Sequence, residues 1–119
     1  MAKSNRDRIN EMFEILSPAL QGFLEAHLGD RWVDELAAKD ARNGSAARAY
    51  SPTDPQSQLR TITEFGYQLR GVLSRPQTAY ATELREVRNQ WAHHGSFTAD
   101  DAYRALDTAE RLLLAVGAP

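Results

Sequence analysis

Apolar residues spaced by three and four positions dominate this chain, and they mark out helices. Ile9, Met12, Phe13, Leu16, Leu20, Phe23, Leu24 and Leu28 form the first such stripe, which predicts an amphipathic helix capped by Ser4 or Asn5. Pro18 lies inside it and removes a backbone donor, so a kink or break is expected near Ser17. A short helix from about Asp30 to Lys39 follows, with Trp32, Val33 and Leu36 inward. Residues 41–54, ARNGSAARAYSPTD, lose the periodicity and collect Gly, Ser, Ala and Pro, the composition of a mobile loop.

Thr53 or Asp54 ahead of Pro55 signals the next helix start. Its buried face is predicted from Leu59, Ile62, Phe65, Leu69, Val72 and Leu73, and it should stop near Ser74, before Pro76. Another helix begins at 76–78 and carries Leu84, Val87 and Trp91 to its end near Gly95. The last starts at Thr98, with Asp101 as capping-box partner, and buries Ala102, Ala105, Leu106, Ala109, Leu112, Leu113 and Val116 before Gly117. No segment alternates with the period of a strand. The pattern therefore predicts an all-α fold, a small bundle of four main helices plus one short helix, as a single domain over 1–119.

One residue breaks the pattern. On a helical wheel Arg88 falls only about 40° from Leu84 and roughly 60° from Trp91, inside the apolar stripe. Burying a guanidinium without a partner is costly. Arg88 therefore calls for a carboxylate, with Glu83, Glu64 and Asp107 as candidates, or for a place at a cleft or dimer interface. Asn89 points further round the helix. The wheel brings His94 nearer to Arg88 than His93, but Gly95 can tighten or unwind the last turn, so periodicity does not choose between the histidines. Either histidine could instead cap the exposed carbonyls of the helix end. Trp91, on the stripe, reads as core rather than as a base-stacking platform.

Composition narrows the chemistry. The chain has no cysteine, which excludes disulfides, cysteine nucleophiles and cysteine-based metal sites; three histidines, two of them adjacent, make a poor metal set, and no cofactor motif is present. The first residues lack the apolar core of a signal peptide, and no apolar run approaches the ~20 residues of a membrane span; a cytoplasmic protein with no membrane association is expected. A net charge of −2 argues against a general duplex-DNA binder. The charge is uneven, however: seven basic residues against nine acidic in 1–54, five against three in 55–94, two against four in 95–119. The one basic segment contains Arg88, Asn89, His93 and His94.

An arginine followed four to six residues later by a histidine is expected about once by chance in a chain of this composition, so the bare spacing carries little. A longer likeness carries more. The segment ELREVRNQWAHHGSFTADDAYRALDTAERLLLAVGA resembles HEPN domains of the Swt1 type, with Arg88-Asn89-Gln90-Trp91-Ala92-His93 matching the HEPN motif of arginine, a polar residue, a variable stretch and histidine. SNRDRINEMFEIL and SPTDPQSQLRTITEFGYQLRGVL are also similar to that type, leaving only residues 37–50 outside the likeness.

The resemblance implies a homodimer whose two Arg…His motifs share a cleft that, in active members, cuts RNA without a metal. It would give Arg88 the scissile phosphate, His93 the general acid or base role in attack by the ribose 2′-hydroxyl, and Asn89 the task of orienting the pair. It further implies a domain near the N-terminus of a longer prokaryotic defence or conflict protein with an ATPase or helicase-like region. The chemistry is sound: histidine as a residue type titrates near neutral pH, and arginine offers a fixed fork of donors to phosphate. His94 duplicates the candidate histidine. Gly95 stands where some toxin-type members carry a tyrosine, so regulation through that tyrosine is not implied. Catalytically silent HEPN domains also exist, and the alternative function is a non-catalytic dimerisation, recruitment or RNA-binding module.

Overall fold

The computed structural model describes residues 3–44, 49–93 and 95–117. Helix α1 (Asn5–Leu28) starts at Ser4, whose hydroxyl accepts from the Asp7 N–H at 3.1 Å. It passes through Pro18 without the expected break. Proline there removes one intrahelical bond, but Leu16, Leu20, Phe23 and Leu24 are buried on both sides of it, and their burial holds the two halves as one element. The Gln58 amide donates to the Ser17 carbonyl at 3.1 Å. The helix ends at Gly29, whose φ of 91° suits glycine and whose N–H bonds the Glu25 carbonyl.

Helix α2 (Trp32–Arg42) starts and ends slightly later than the pattern predicts. Trp32 and Leu36 are fully buried, Val33 only partly. Helix α3 (Pro55–Glu64) is capped by Asp54, with proline at its first position. The single helix expected through Leu73 instead divides at Phe65, and a one-turn α4 (Gly66–Leu69) follows. Gly66 at the junction explains the division, since glycine gives up the most backbone freedom in a helix. Beyond it Leu69 and Leu73 are buried, while Val72 is 41% exposed, contrary to the expected stripe.

Helix α5 (Arg75–Ala92) opens with a capping box between Ser74 and Gln77, and α6 (Ala99–Ala115) with the Thr98–Asp101 box that the sequence announces. Leu106, expected inward, is 40% exposed. Helices α1, α3, α5 and α6 form a closed ring of contacts, α1 and α5 each packing on both α3 and α6, with α2 beside α1. Ala81, Ala102, Ala105 and Ala109 are all buried and let the helix axes approach. The fold is all-α, with α1, α3, α5 and α6 as the bundle, the 11-residue α2 set beside it and α4 as an added turn; among the described residues no helix is long and apolar enough to cross a membrane.

Polar contacts tie the chain entering α3 to the bundle. The Tyr50 hydroxyl donates to Asp40 and accepts from Arg60 at 2.9 Å. The Thr53 carbonyl accepts from the Ser17 hydroxyl at 2.8 Å, and the Pro52 carbonyl from the Gln58 amide at 2.7 Å. Arg60 also pairs with Glu64 and Asp40, contacts that raise its pKa above the ordinary arginine value. The Arg60 contact holds the Glu64 carboxyl below the usual range. Residues 45–48, within the loop expected over 41–54, lie outside the described residues.

Candidate functional site

Arg88 sits just over one turn from the end of α5, half-buried, with its guanidinium carbon 4.9 Å from the centre of the Trp91 ring. It lines a recess of about 210 Å³ with Asn10, Phe13, Glu14, Ser17, Thr53, Pro55 and Trp91. The carboxylates that the sequence offered to it are engaged elsewhere. Glu83 pairs with Arg104 at 2.8 Å and accepts from Thr108; Glu64 pairs with Arg60, with Lys39 and Arg85 at 3.8 Å; Asp107 pairs with Arg111 at 3.0 Å. Among the described residues no ion pair includes Arg88. A guanidinium left in this way keeps its donors for an anion.

A second arginine stands beside the same ring. Arg6, at the start of α1, donates through Nη2 to the Trp91 carbonyl at 2.7 Å and lies 4.4 Å from the Trp91 ring centre. That carbonyl is among the last four of α5, which lack partners within the helix. Next to Arg6, the Asn5 amide donates to the Phe97 carbonyl at 3.1 Å. The first turn of α1 thus braces the chain on both sides of His93 and Gly95. Sequence reasoning did not single out Arg6, although the signal that exposed Arg88 was present: Arg6 precedes Ile9 by three residues and Phe13 by seven, on the buried stripe of α1.

His93 is the C-cap residue of α5, exposed, with its N–H bonded to the Asn89 carbonyl at 3.1 Å. The Gly95 N–H reaches back to the Gln90 carbonyl at 2.8 Å, the six-residue closure of a helix end. A Cβ at Gly95 would meet that carbonyl oxygen at 2.9 Å, so the tight turn after His93 needs glycine. His94 lies outside the described residues. Asn89 is exposed and lines a different recess, of about 610 Å³, with Gln56, Thr82, Glu83, Arg85 and Glu86. A single chain therefore puts Arg88 and Asn89 in separate recesses, and His93 lines neither.

Trp91 is half-buried against the core, as its place on the stripe implied, and its indole N–H is buried without a hydrogen-bond partner. Tyr50, a loop residue with no assigned task in the sequence, belongs to the Asp40–Arg60 network. His27 lies in the last turn of α1, its ring 4.7 Å from that of Phe23. Among the described residues no group of three or more His, Asp or Glu side chains could hold a metal ion.

No curated protein and no solved structure matches the chain. A family model described as Swt1-like HEPN matches residues 11–117, a span that takes in most of α1, all of α5 with its Arg88…His93 motif, and α6. The chain belongs to the Swt1-like HEPN family.

Proposed function

We propose that this HEPN domain is a metal-independent endoribonuclease that works as a cytoplasmic homodimer within a longer, ATPase- or helicase-bearing protein of a prokaryotic defence or conflict system. One observation carries the reading: Arg88 lies half-buried at a recess and forms no ion pair among the described residues, while Glu64, Glu83 and Asp107 are each paired with another cation. Arg88 contacts the scissile phosphate and steadies the charge that develops on it. His93, on the exposed turn next to it in sequence, moves the proton. The 2′-hydroxyl attacks the adjacent phosphorus and gives its proton to one His93; the P–O5′ bond breaks, and the leaving oxygen takes a proton from the partner subunit's His93. The products are a 2′,3′-cyclic phosphate and a 5′-hydroxyl.

Pairing gives this scheme its second histidine, and it suits a protomer whose Arg88 and Asn89 line separate recesses. Asn89 orients the motif across the shared cleft. The test is incubation of the purified protein with single-stranded RNA in EDTA beside Arg88→Ala and His93→Ala. Loss of one charge-stabilising donor or one proton-transfer group lowers the rate about a hundredfold or more. Intact RNA with the wild type, or equal cutting by both variants, overturns the reading.

The exposed His93, which lines neither recess within one chain, favours a second reading, a non-catalytic pairing or recruitment module. A stable dimer that leaves RNA uncut and whose mass is unchanged by Arg88→Ala would select it.

A further inference from the structure

The recess beside Arg88 has a composition that the cleavage chemistry alone does not require. Phe13, Pro55 and Trp91 give it apolar walls, and Asn10, Glu14, Ser17, Thr53 and Arg88 give it polar groups. At about 210 Å³ it falls below the usual range of drug-sized pockets and suits one small planar group. Its donors are largely spent. The Asn10 amide donates to Glu14 Oε1 at 3.1 Å, the Ser17 hydroxyl donates to the Thr53 carbonyl at 2.8 Å, and the Thr53 hydroxyl is shared with Ser51 at 2.9 Å. What remains is a set of acceptors, the Glu14 carboxylate and the Asn10 carbonyl oxygen, lining the same recess as Arg88.

We propose that this recess is a guanine subsite, in which Glu14 accepts from N1–H and the N2 amino group while Arg88 reaches the base's acceptors or the adjoining phosphate. Among the four bases guanine alone presents ring N–H and amino donors side by side, the arrangement that a carboxylate with two oxygens accepts. Its O6 and N7 are the acceptors to which arginine donates in pairs. Adenine and cytosine offer one amino group at that edge, and uracil a single ring N–H. Glu14 is exposed, so it supports recognition without the cost of a buried charge, and its negative charge disfavours bare phosphate where Arg88 favours it. The inference rests on the RNA-cleaving reading for its purpose, but the recess itself is testable without cleavage.

The experiment titrates the intact protein with guanosine, inosine, adenosine, cytidine and uridine and follows tryptophan fluorescence. Trp32 is fully buried, so a change reports Trp91. Guanosine is expected to bind about tenfold or more tightly than the other four, inosine losing because it lacks the amino group, and Glu14→Gln is expected to abolish the preference while the fold stays intact by circular dichroism. Equal binding of guanosine and adenosine, no binding at millimolar nucleoside, or a guanosine preference that survives Glu14→Gln overturns the subsite. RNA cleavage without guanosine preference removes the subsite and keeps the nuclease. Glu14-dependent guanosine binding by a protein that leaves RNA intact keeps the subsite and removes the nuclease.

Discussion

Replacing Arg6 with methionine keeps the aliphatic stem and deletes the head that holds the end of α5. The Nη2 bond to the Trp91 carbonyl, 2.7 Å long and part-buried, is a hydrogen bond from a charged donor, of the kind that contributes about 1.5–3 kcal/mol. The stacking of Arg6 over Trp91 at 4.4 Å adds about 0.5–1 kcal/mol. Two gains oppose these losses: Arg6 Nη1 is buried without a partner, so its removal returns about 1 kcal/mol, and methionine regains part of the ring contact through sulfur. The net expected loss is about 1–2 kcal/mol, or roughly 4–8 °C in Tm for a chain of this size. Thermal and urea unfolding followed by circular dichroism measure it. Arg6→Lys, which keeps a charge able to reach the carbonyl, should recover about half. If both variants unfold within about 0.5 kcal/mol of the wild type, Arg6 does not brace the site and the reasoning fails.

Gly95→Ala must push a methyl to 2.9 Å from the Gln90 carbonyl oxygen; a loss of about 1–3 kcal/mol is expected by urea unfolding, and a neutral result would mean that the turn after His93 opens freely. Glu64 has its carboxyl held low by Arg60, so its contribution is complete above the unfolded carboxyl value of about 4.3 and fades as pH falls through the lower folded value. Wild-type stability should therefore drop below about pH 4, while Glu64→Gln, weaker by about 1–2 kcal/mol at pH 7, shows a flatter acid limb; parallel curves would refute it. Arg88→Met removes only a ring contact at 4.9 Å and no ion pair within the described chain, so its Tm should fall by less than that of Arg6→Met. A larger fall would place an unrecognised structural partner on Arg88.

Periodicity and capping chemistry made most of the bundle legible. Thr98 with Asp101, and Asp54 ahead of Pro55, are local signals whose partners lie within three residues, and short-range signals of this kind survive tertiary packing. Pro18 misled because a local penalty was read without the buried leucines and phenylalanines that outweigh it. Phe65 and Gly66 misled in the opposite sense, since the apolar stripe continues smoothly through a point where the backbone turns. At the site, Arg88 on the stripe was the informative residue, but which cations claim Glu64, Glu83 and Asp107 depended partly on packing: Glu83–Arg104 and the Glu64 contacts with Lys39 and Arg85 cross helices, whereas Arg60–Glu64 and Asp107–Arg111 are pairs four residues apart on one helix. The Arg6–Trp91 contact joins residues 85 positions apart, beyond the reach of any motif, although Arg6 carried the same stripe signal. Asn89 and Arg88 are neighbours in sequence, yet they line separate recesses because adjacent helical residues diverge by about 100°.

Mass spectrometry of the ends left on one single-stranded RNA, cut in EDTA by the wild-type protein, tests the Arg88–His93 chemistry most directly. The account predicts an upstream product ending in a 2′,3′-cyclic phosphate and a downstream product beginning with a 5′-hydroxyl, both absent with Arg88→Ala. Products with a 3′-hydroxyl and a 5′-phosphate, or RNA recovered intact, would contradict it.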